Sequence, residues 1–375
     1  MAELFLIRDV FSTDVVKKMA NNIKKEYASF DKKGFLQSIL PDLDQQTYSE
    51  RKESITNGLI NYLPSDYEKS VELLLKITPP PYEGEDISGT LDRFYISTFT
   101  AYISIKGIDS YDTSVHALYE MTKSFTAEWD IRPFLLKYPE RTFKLLKKWA
   151  NDKNIHVRRF VSEGSRPNLP WGKKLKFIDE NPESTTLPIL ALLQDDPSEY
   201  VRRSVANHLN DLAKNNGDLV VKHLTQWRNK KSTPEKERLI NHALRTLIKQ
   251  GHKGALAMIG YDDDFNLDVN INTFKKEVKW SGKFEFEFSI KNNKTTSQKL
   301  LIDFIIGFQK KDGKISDKVF KLKKVEIPAG EVVNLRKGHS FKPITTRVYY
   351  PGKHNLSIQV NGKIVSKQSF MLQNP

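Results

Sequence analysis

The chain has 375 residues, with 60 Lys and Arg against 46 Asp and Glu, a net charge of +14 and no cysteine. With 38% hydrophobic and 28% charged residues it can bury a sizeable core, which excludes wholesale disorder or a collagen-like fibre. Without cysteine there are no disulfide staples, thiolate nucleophiles, zinc fingers or iron–sulfur clusters, and a length of this order suits two domains of about 100 to 200 residues.

At the amino terminus, MAELFLIRDVF is interrupted by Arg8 and Asp9 before a secretory apolar region can form. No later run approaches the roughly 18 apolar residues of a membrane span, so a soluble, cytoplasmic chain is expected. Its surplus of positive charge favours a polyanionic partner.

Through residues 1–260, apolar residues recur at helical spacing, as in Phe143, Leu145, Leu146, Trp149 and in Leu187, Ile189, Leu190, Leu193. Val157-Arg158-Arg159 returns as Val201-Arg202-Arg203, 44 residues on, and the same offset carries Trp149 to Leu193 and Asp152 to Asp196. A third, diverged pair follows, LVVKHLTQW and then EKERLINHALRTLIKQ, the second introduced by a Ser232-Thr233-Pro234-Glu235 cap. Two helices in a period of about 40 to 47 residues describe HEAT-type repeats, which stack into a solenoid with a concave face.

The sequence GYDDDF at 260–265 marks a boundary, after which the period becomes two. Phe284, Phe286, Phe288 and Ile290 alternate with polar residues, as do Leu356, Ile358 and Val360. About seven strands are expected, the dimensions of an immunoglobulin-like sandwich without its disulfide. The expected fold is therefore mainly α, a HEAT-like α-helical repeat solenoid over 1–260 followed by a C-terminal immunoglobulin-like β-sandwich over 261–375. From Asp262 onward there are 21 Lys and Arg against 12 Asp and Glu. Those lysines suit either a DNA clamp or protection of strand edges.

A helix beginning near Ile155 places Arg159, Glu163 and Arg166 on one face, and Arg203, Asn207 and Asn210 follow one repeat later. For one helix alone, a solvated face with an i,i+4 ion pair of about 0.3 to 0.5 kcal/mol is the simpler reading. Two such faces in register in a basic chain suggest a guanidinium-lined groove that tracks phosphates. His156, His208, His223 and His242 lack the spacing of a metal site and suit repeat interfaces. No phosphate-binding glycine loop, serine-nucleophile elbow or dinucleotide fingerprint occurs.

Three segments, FTAEWDIRPFL (125–135), VRRFVSEGSRPNLPWG (157–172) and DDPSEYVRRSVANHLNDLAK (195–214), resemble signatures of the bacterial alkylpurine DNA glycosylase family AlkC. That family is related to AlkD, both are built from HEAT-like repeats, and some AlkC members carry a C-terminal immunoglobulin-like domain. The resemblance implies a monofunctional enzyme without cofactor or metal. It would release cationic N3-alkylated bases, typically 3-methyladenine and in its wider range 3-methylcytosine, from double-stranded DNA to start base excision repair. A monomer working on the nucleoid is implied.

In this reading Glu128 and Glu163 match the catalytic carboxylates and Trp171 the tryptophan that contacts the lesion sugar. Arg159, Arg166, Arg203 and Asn207 are expected to hold phosphates. The chemistry agrees with two carboxylates, because loss of a base builds positive charge on the sugar and the attacking water must give up a proton. Trp149 reads as core because it repeats as Leu193, and Trp129, with no such register, is set aside with it. The alternative is a non-catalytic HEAT-repeat DNA-damage sensor or protein-binding scaffold, in which Glu128 and Glu163 need not converge near Trp171.

Overall fold

A computed structural model describes residues 6–85 and 88–375. The first five residues of the amino-terminal run argued above not to be a leader lie outside the described residues. The helices are α1 (Thr13–Glu26), α2 (Lys32–Ile39), α3 (Tyr48–Tyr62), α4 (Tyr67–Ile77), α5 (Ile96–Lys106), α6 (Tyr111–Thr122), α7 (Arg132–Lys137) and α8 (Pro139–Trp149). They continue as α9 (Ile155–Gly164), α10 (Lys176–Glu180), α11 (Leu187–Leu193), α12 (Glu199–Leu212), α13 (Gly217–Lys230), α14 (Pro234–Ala243), α15 (Arg245–Gln250) and α16 (Lys253–Met258). No helix among the described residues is long and apolar enough to cross a membrane.

The described residues form two compact units. One runs to Asn215 and takes in Lys231–Ala243, and the other holds Asn216–Lys230 and Leu244–Pro375. Within the first, α9, α12 and α14 lie side by side. Val157, Phe160 and Val161 of α9 and Val201, Val205 and Leu209 of α12 are all buried. Burying each large apolar side chain fully is worth about 1.5 to 3 kcal/mol. Trp149 belongs to this core, its ring 6.0 Å from that of Phe160.

The repeat extends to side-chain hydrogen bonds. Arg158 Nη1 donates to the carbonyls of Asp152 and Lys153 at 2.9 and 3.0 Å, and Arg202 Nη1 to those of Asp196 and Pro197 at 2.5 and 2.8 Å. Asp152 and Asp196 each accept the backbone N–H two residues on, at 2.8 and 2.9 Å. Arg158 also reaches into the next repeat, binding both oxygens of Asp196 at 2.6 and 3.0 Å. The third pair differs from its sequence reading, since EKERLINHALRTLIKQ is two helices interrupted at Leu244, whose ψ of −2° leaves the helical path. Its expected cap is present: Thr233 Oγ1 accepts from Lys236 N at 3.2 Å ahead of Pro234 at the first helical position.

In the second unit, β1 (Leu267–Phe274), β3 (Lys283–Asn292) and β6 (Val332–Ser340) form one sheet in the order β1-β3-β6. The other sheet orders β2 (Glu277–Val278), β8 (Lys363–Leu372), β7 (Gly352–Val360), β4 (Gln298–Gln309) and β5 (Ile315–Ile327) as β2-β8-β7-β4-β5. Phe284, Phe286, Phe288 and Ile290 of β3 meet Leu356, Ile358 and Val360 of β7 in the core, as their alternation requires. β4 is buried on both faces. Gln359 Nε2 on neighbouring β7 donates to Lys249 O at 3.3 Å, tying the outer sheet to α15. The backbones of Gly251 and Gly362 also meet, both at positive φ (76° and 79°), and a Cβ on Gly251 would lie 2.5 Å from Gly362 O. Only glycine fits such an approach.

Candidate active site

The stretch between α6 and α7 is irregular, and its side chains, with Arg132 at the start of α7, fasten it to three other parts of the chain. Asp130 accepts from Thr100 Oγ1 at 2.6 Å and Ser104 Oγ at 3.2 Å, both on α5. Trp129 Nε1 donates to Pro170 O at 3.0 Å. Arg132 donates to Gly164 O at 2.9 Å, Arg166 O at 2.7 Å and Lys173 O at 3.1 Å. The last carbonyls of a helix lack intrahelical donors, so this buried guanidinium both caps α9 and locks the loop beyond it. Thr126 Oγ1 donates to Glu128 Oε2 at 2.7 Å and fixes its rotamer.

These anchors place Glu128 at one end of a ladder of alternating charge. Arg159 Nη1 donates to Glu128 Oε2 at 2.5 Å, and its Nη2 lies 3.7 Å from Glu163 Oε1. Glu163 Oε2 accepts from Arg166 Nη1 at 2.9 Å, and Arg166 Nε donates to Asp211 Oδ2 at 2.9 Å. Lys214 Nζ closes the row on Asp211 Oδ1 at 2.9 Å. The carboxylate residues Glu128, Glu163 and Asp211 are only 5, 4 and 3% exposed, so each charge depends on its partner.

Burial lifts the Glu128 carboxyl above the usual carboxylate range in spite of Arg159, and nearby Glu163 adds to the lift. Burial opposes the charge of Arg159, yet Glu128 and then Glu163 hold that guanidinium above its ordinary range. The Tyr200 ring lies under it, 5.0 Å from centroid to guanidinium carbon, a cation–π contact.

Trp171 stands apart in character. It occupies the third position of a turn from Leu169 to Gly172, closed by Gly172 N donating to Leu169 O at 3.0 Å, with Pro170 at the second position. Its φ is +60°, and its side chain is among the exposed large apolar groups at 80%. Its ring faces that of Trp129 at 6.4 Å and 24°, and that of Tyr48 on α3 at 6.1 Å. A cavity of about 400 Å³ lies among Tyr48, Lys52, Asn57, Ile105, Trp129 and Trp171.

The structure thus brings Glu128, Glu163, Arg159 and Arg166 into one cluster, and Trp171 adjoins it through Trp129, the neighbour of Glu128. Arg159 and Arg166, read from the sequence as phosphate ligands, direct their guanidinium groups at carboxylates instead. The cause is the three buried acids around them. Arg203 is exposed, lining a shallow groove between α12 and α14 with Arg202, Arg238 and His242. Asn207 Oδ1 pairs with His242 Nε2 at 2.9 Å.

Asp211, Arg132 and Trp129 escaped the sequence reading. Asp211 continues the four-residue spacing of Arg203 and Asn207 and could have been found by extending that stripe. Arg132 acts through backbone carbonyls, which leave no pattern in a sequence. Trp129 was set aside for want of repeat register, although it pins the Pro170 turn.

The family described as "Uncharacterised protein YhaZ, C-terminal Ig-like domain" matches residues 268–374. The chain is 35% identical over 368 residues to the uncharacterized protein YhaZ of Bacillus subtilis, covering 98% of this chain and 99% of that one. It is also similar to the alkylpurine DNA glycosylase AlkC of Pseudomonas fluorescens, solved bound to DNA containing an abasic site analog, with 31% identity and a TM-score of 0.87. That likeness covers 99% of this chain and 100% of the other.

Proposed function

The chain belongs to the family of AlkC and YhaZ, and we propose that it is a DNA glycosylase hydrolysing the N-glycosidic bond of cationic N3-alkylated bases, 3-methyladenine foremost, in double-stranded DNA. The observation that carries this reading is the buried Arg159 holding Glu128 and Glu163 together. A scaffold or sensor has no use for two buried acids gathered on one arginine.

When the C1′–N bond breaks, the alkylated base takes the bonding electrons and leaves neutral, because it began as a cation. Positive charge then develops on the sugar, and one carboxylate stabilises it while another accepts the proton of the attacking water. Glu128 and Glu163, joined through Arg159, share these two roles. Arg159 and Arg166 position these acids. Trp171 offers its exposed face to the sugar, and Arg203 and Asn207 hold flanking phosphates.

We assign the chemistry to 1–260 and accessory DNA binding to the lysine-rich 261–375, in a monomeric cytoplasmic enzyme that needs no cofactor. The test is mass-spectrometric detection of bases released from methylated duplex DNA. 3-Methyladenine should be freed readily. Uracil and hypoxanthine should resist, since a neutral base leaves as a poor anion without a proton donor. No release of 3-methyladenine, or efficient release of uracil, overturns the assignment.

A further inference from the structure

We propose that Tyr200, at the start of α12, is a positioning residue for the paired carboxylates: its ring fixes the plane of the Arg159 guanidinium and, through it, the placement of Glu128 against Glu163. The link to catalysis rests on the glycosylase reading; the clamp on Arg159 does not.

The contacts within the ladder leave that plane undetermined. Arg159 Nη1 donates both to Glu128 Oε2 and to Thr126 Oγ1, the latter at 3.1 Å, so one nitrogen acts as a pivot. Nη2 stands 3.7 Å from Glu163 Oε1, beyond the roughly 2.7 to 3.2 Å of an N–H···O hydrogen bond. A guanidinium donates only in its own plane, and a swing about the pivot would carry Nη2 away from Glu163. A wall against its face prevents the swing. Tyr200 is that wall, buried, with its ring centroid 5.0 Å from the guanidinium carbon. An aromatic ring suits the place because its π face attracts the cation without offering an acceptor that competes with the carboxylates.

Tyr200 is itself backed from behind. It lies 44 residues after His156, in register with it, and the two buried rings meet edge to face at 5.8 Å and 72°. His156 is fastened in turn, its Nε2 pairing with Tyr82 O at 2.9 Å and its ring 5.6 Å from that of Tyr82. Arg93 lies over the Tyr82 ring with its guanidinium carbon 5.4 Å from the centroid. A column of rings thus runs from the stretch between α4 and α5 to Arg159. Burial holds the His156 imidazole below its ordinary range, so near neutral pH an uncharged ring stands behind Tyr200 and does not repel Arg159. The space left beside the guanidinium, among Thr90, Ser124, Thr126, His156 and Tyr200, amounts to about 10 Å³, room for one water at most. Arg159 has nowhere to turn while the ring is in place.

The test uses full-length protein and two measurements. In DNA-free protein carrying isotope-labelled glutamate, NMR follows the carboxyl titration of Glu128, its signal identified by its absence in Glu128→Gln. Single-turnover release of 3-methyladenine and binding of the lesion duplex are measured beside it. Tyr200→Leu removes the ring and keeps much of the bulk. It should move the Glu128 titration upward, because Arg159 is the cation that opposes the effect of burial there, and it should slow release about tenfold with affinity held within about twofold. Tyr200→Phe keeps the ring and should change none of these. If Tyr200→Leu does not fold, Tyr200→Met, which fills the space without a ring, is read in the same way. A wild-type titration in the ringless variant, or a shift in Tyr200→Phe as large as in Tyr200→Leu, overturns the proposal; a merely structural role would lower the melting temperature and leave the titration in place. A shifted titration in a protein that releases no 3-methyladenine keeps the clamp and loses the glycosylase reading, and an unshifted one beside active release does the reverse.

Discussion

Arg159 and Arg203 occupy the same place in consecutive repeats, 44 residues apart, and their surroundings are opposite. Arg159 is wedged between Glu128 and Glu163 above the Tyr200 ring, whereas Arg203 is exposed at the rim of a shallow groove. Two departures from the repeat account for this. Four residues on, Glu163 is replaced by Asn207, and the irregular stretch before α7 delivers Glu128 to the first arginine alone. The repeat builds the scaffold, and chemistry is concentrated where a non-repeating segment crosses it.

Removing each arginine should expose the difference most strongly. Arg159→Ala leaves buried carboxylates unpaired and should cost about 3 to 5 kcal/mol of stability. Arg203→Ala should stay within about 0.5 kcal/mol of wild type. Urea unfolding of both decides it, and equal losses would erase the contrast.

Next in size is catalysis. Glu163→Gln and Glu128→Gln should each slow single-turnover release of 3-methyladenine by about 100-fold or more while DNA binding changes only a few-fold. Wild-type rates in both variants would remove the carboxylates from the mechanism.

The interface between α9 and α12 should also sense pH. His208 is wholly buried, with Nδ1 bonded to Ser162 O at 3.0 Å, and burial pushes its pKa down to about 3. The folded chain keeps this ring neutral, while the unfolded chain protonates it below about 6.5. Its contribution is thus complete above pH 6.5 and is lost as pH falls toward 3, by up to about 1.4 kcal/mol per pH unit. Thermal melts from pH 7 to 4 should show a decline that flattens in His208→Gln.

The smallest effect sharpens the exposed side of the comparison. If Arg203 holds one phosphate, Arg203→Ala should lower the slope of log K against log salt by about 0.9. An unchanged slope would return Arg203 to an ordinary surface charge.

Much of this was legible in the residues themselves. The 44-residue offset and the alternation in β3 survive into the structure because both follow from which side chains must be buried. The face shared by Arg159, Glu163 and Arg166 is simple helix geometry. The Arg159–Glu163 pair was open as the i,i+4 reading, but the partners Glu128 and Asp211 were not legible, because they come from other elements and burial decides whether a guanidinium meets a carboxylate or a phosphate. Leu244 gave no warning of the break between α14 and α15, having neither glycine nor proline beside it.

The contact of Gly251 with Gly362 bears on how this protein can be dismantled. The change from helix to strand near residue 260 invites a cut there, yet α15 and α16 are welded to the β7–β8 hairpin, and the chain passes between its two compact units at Asn215, Lys230 and Ala243. A fragment ending at 260 would carry away a torn face that includes the buried Leu256, and a fragment starting at 261 would lose the lining of its outer sheet. The β-sandwich is therefore not a portable cassette. An exchange with a relative would have to transplant Asn216–Lys230 and Leu244–Pro375 together, as one graft in two pieces.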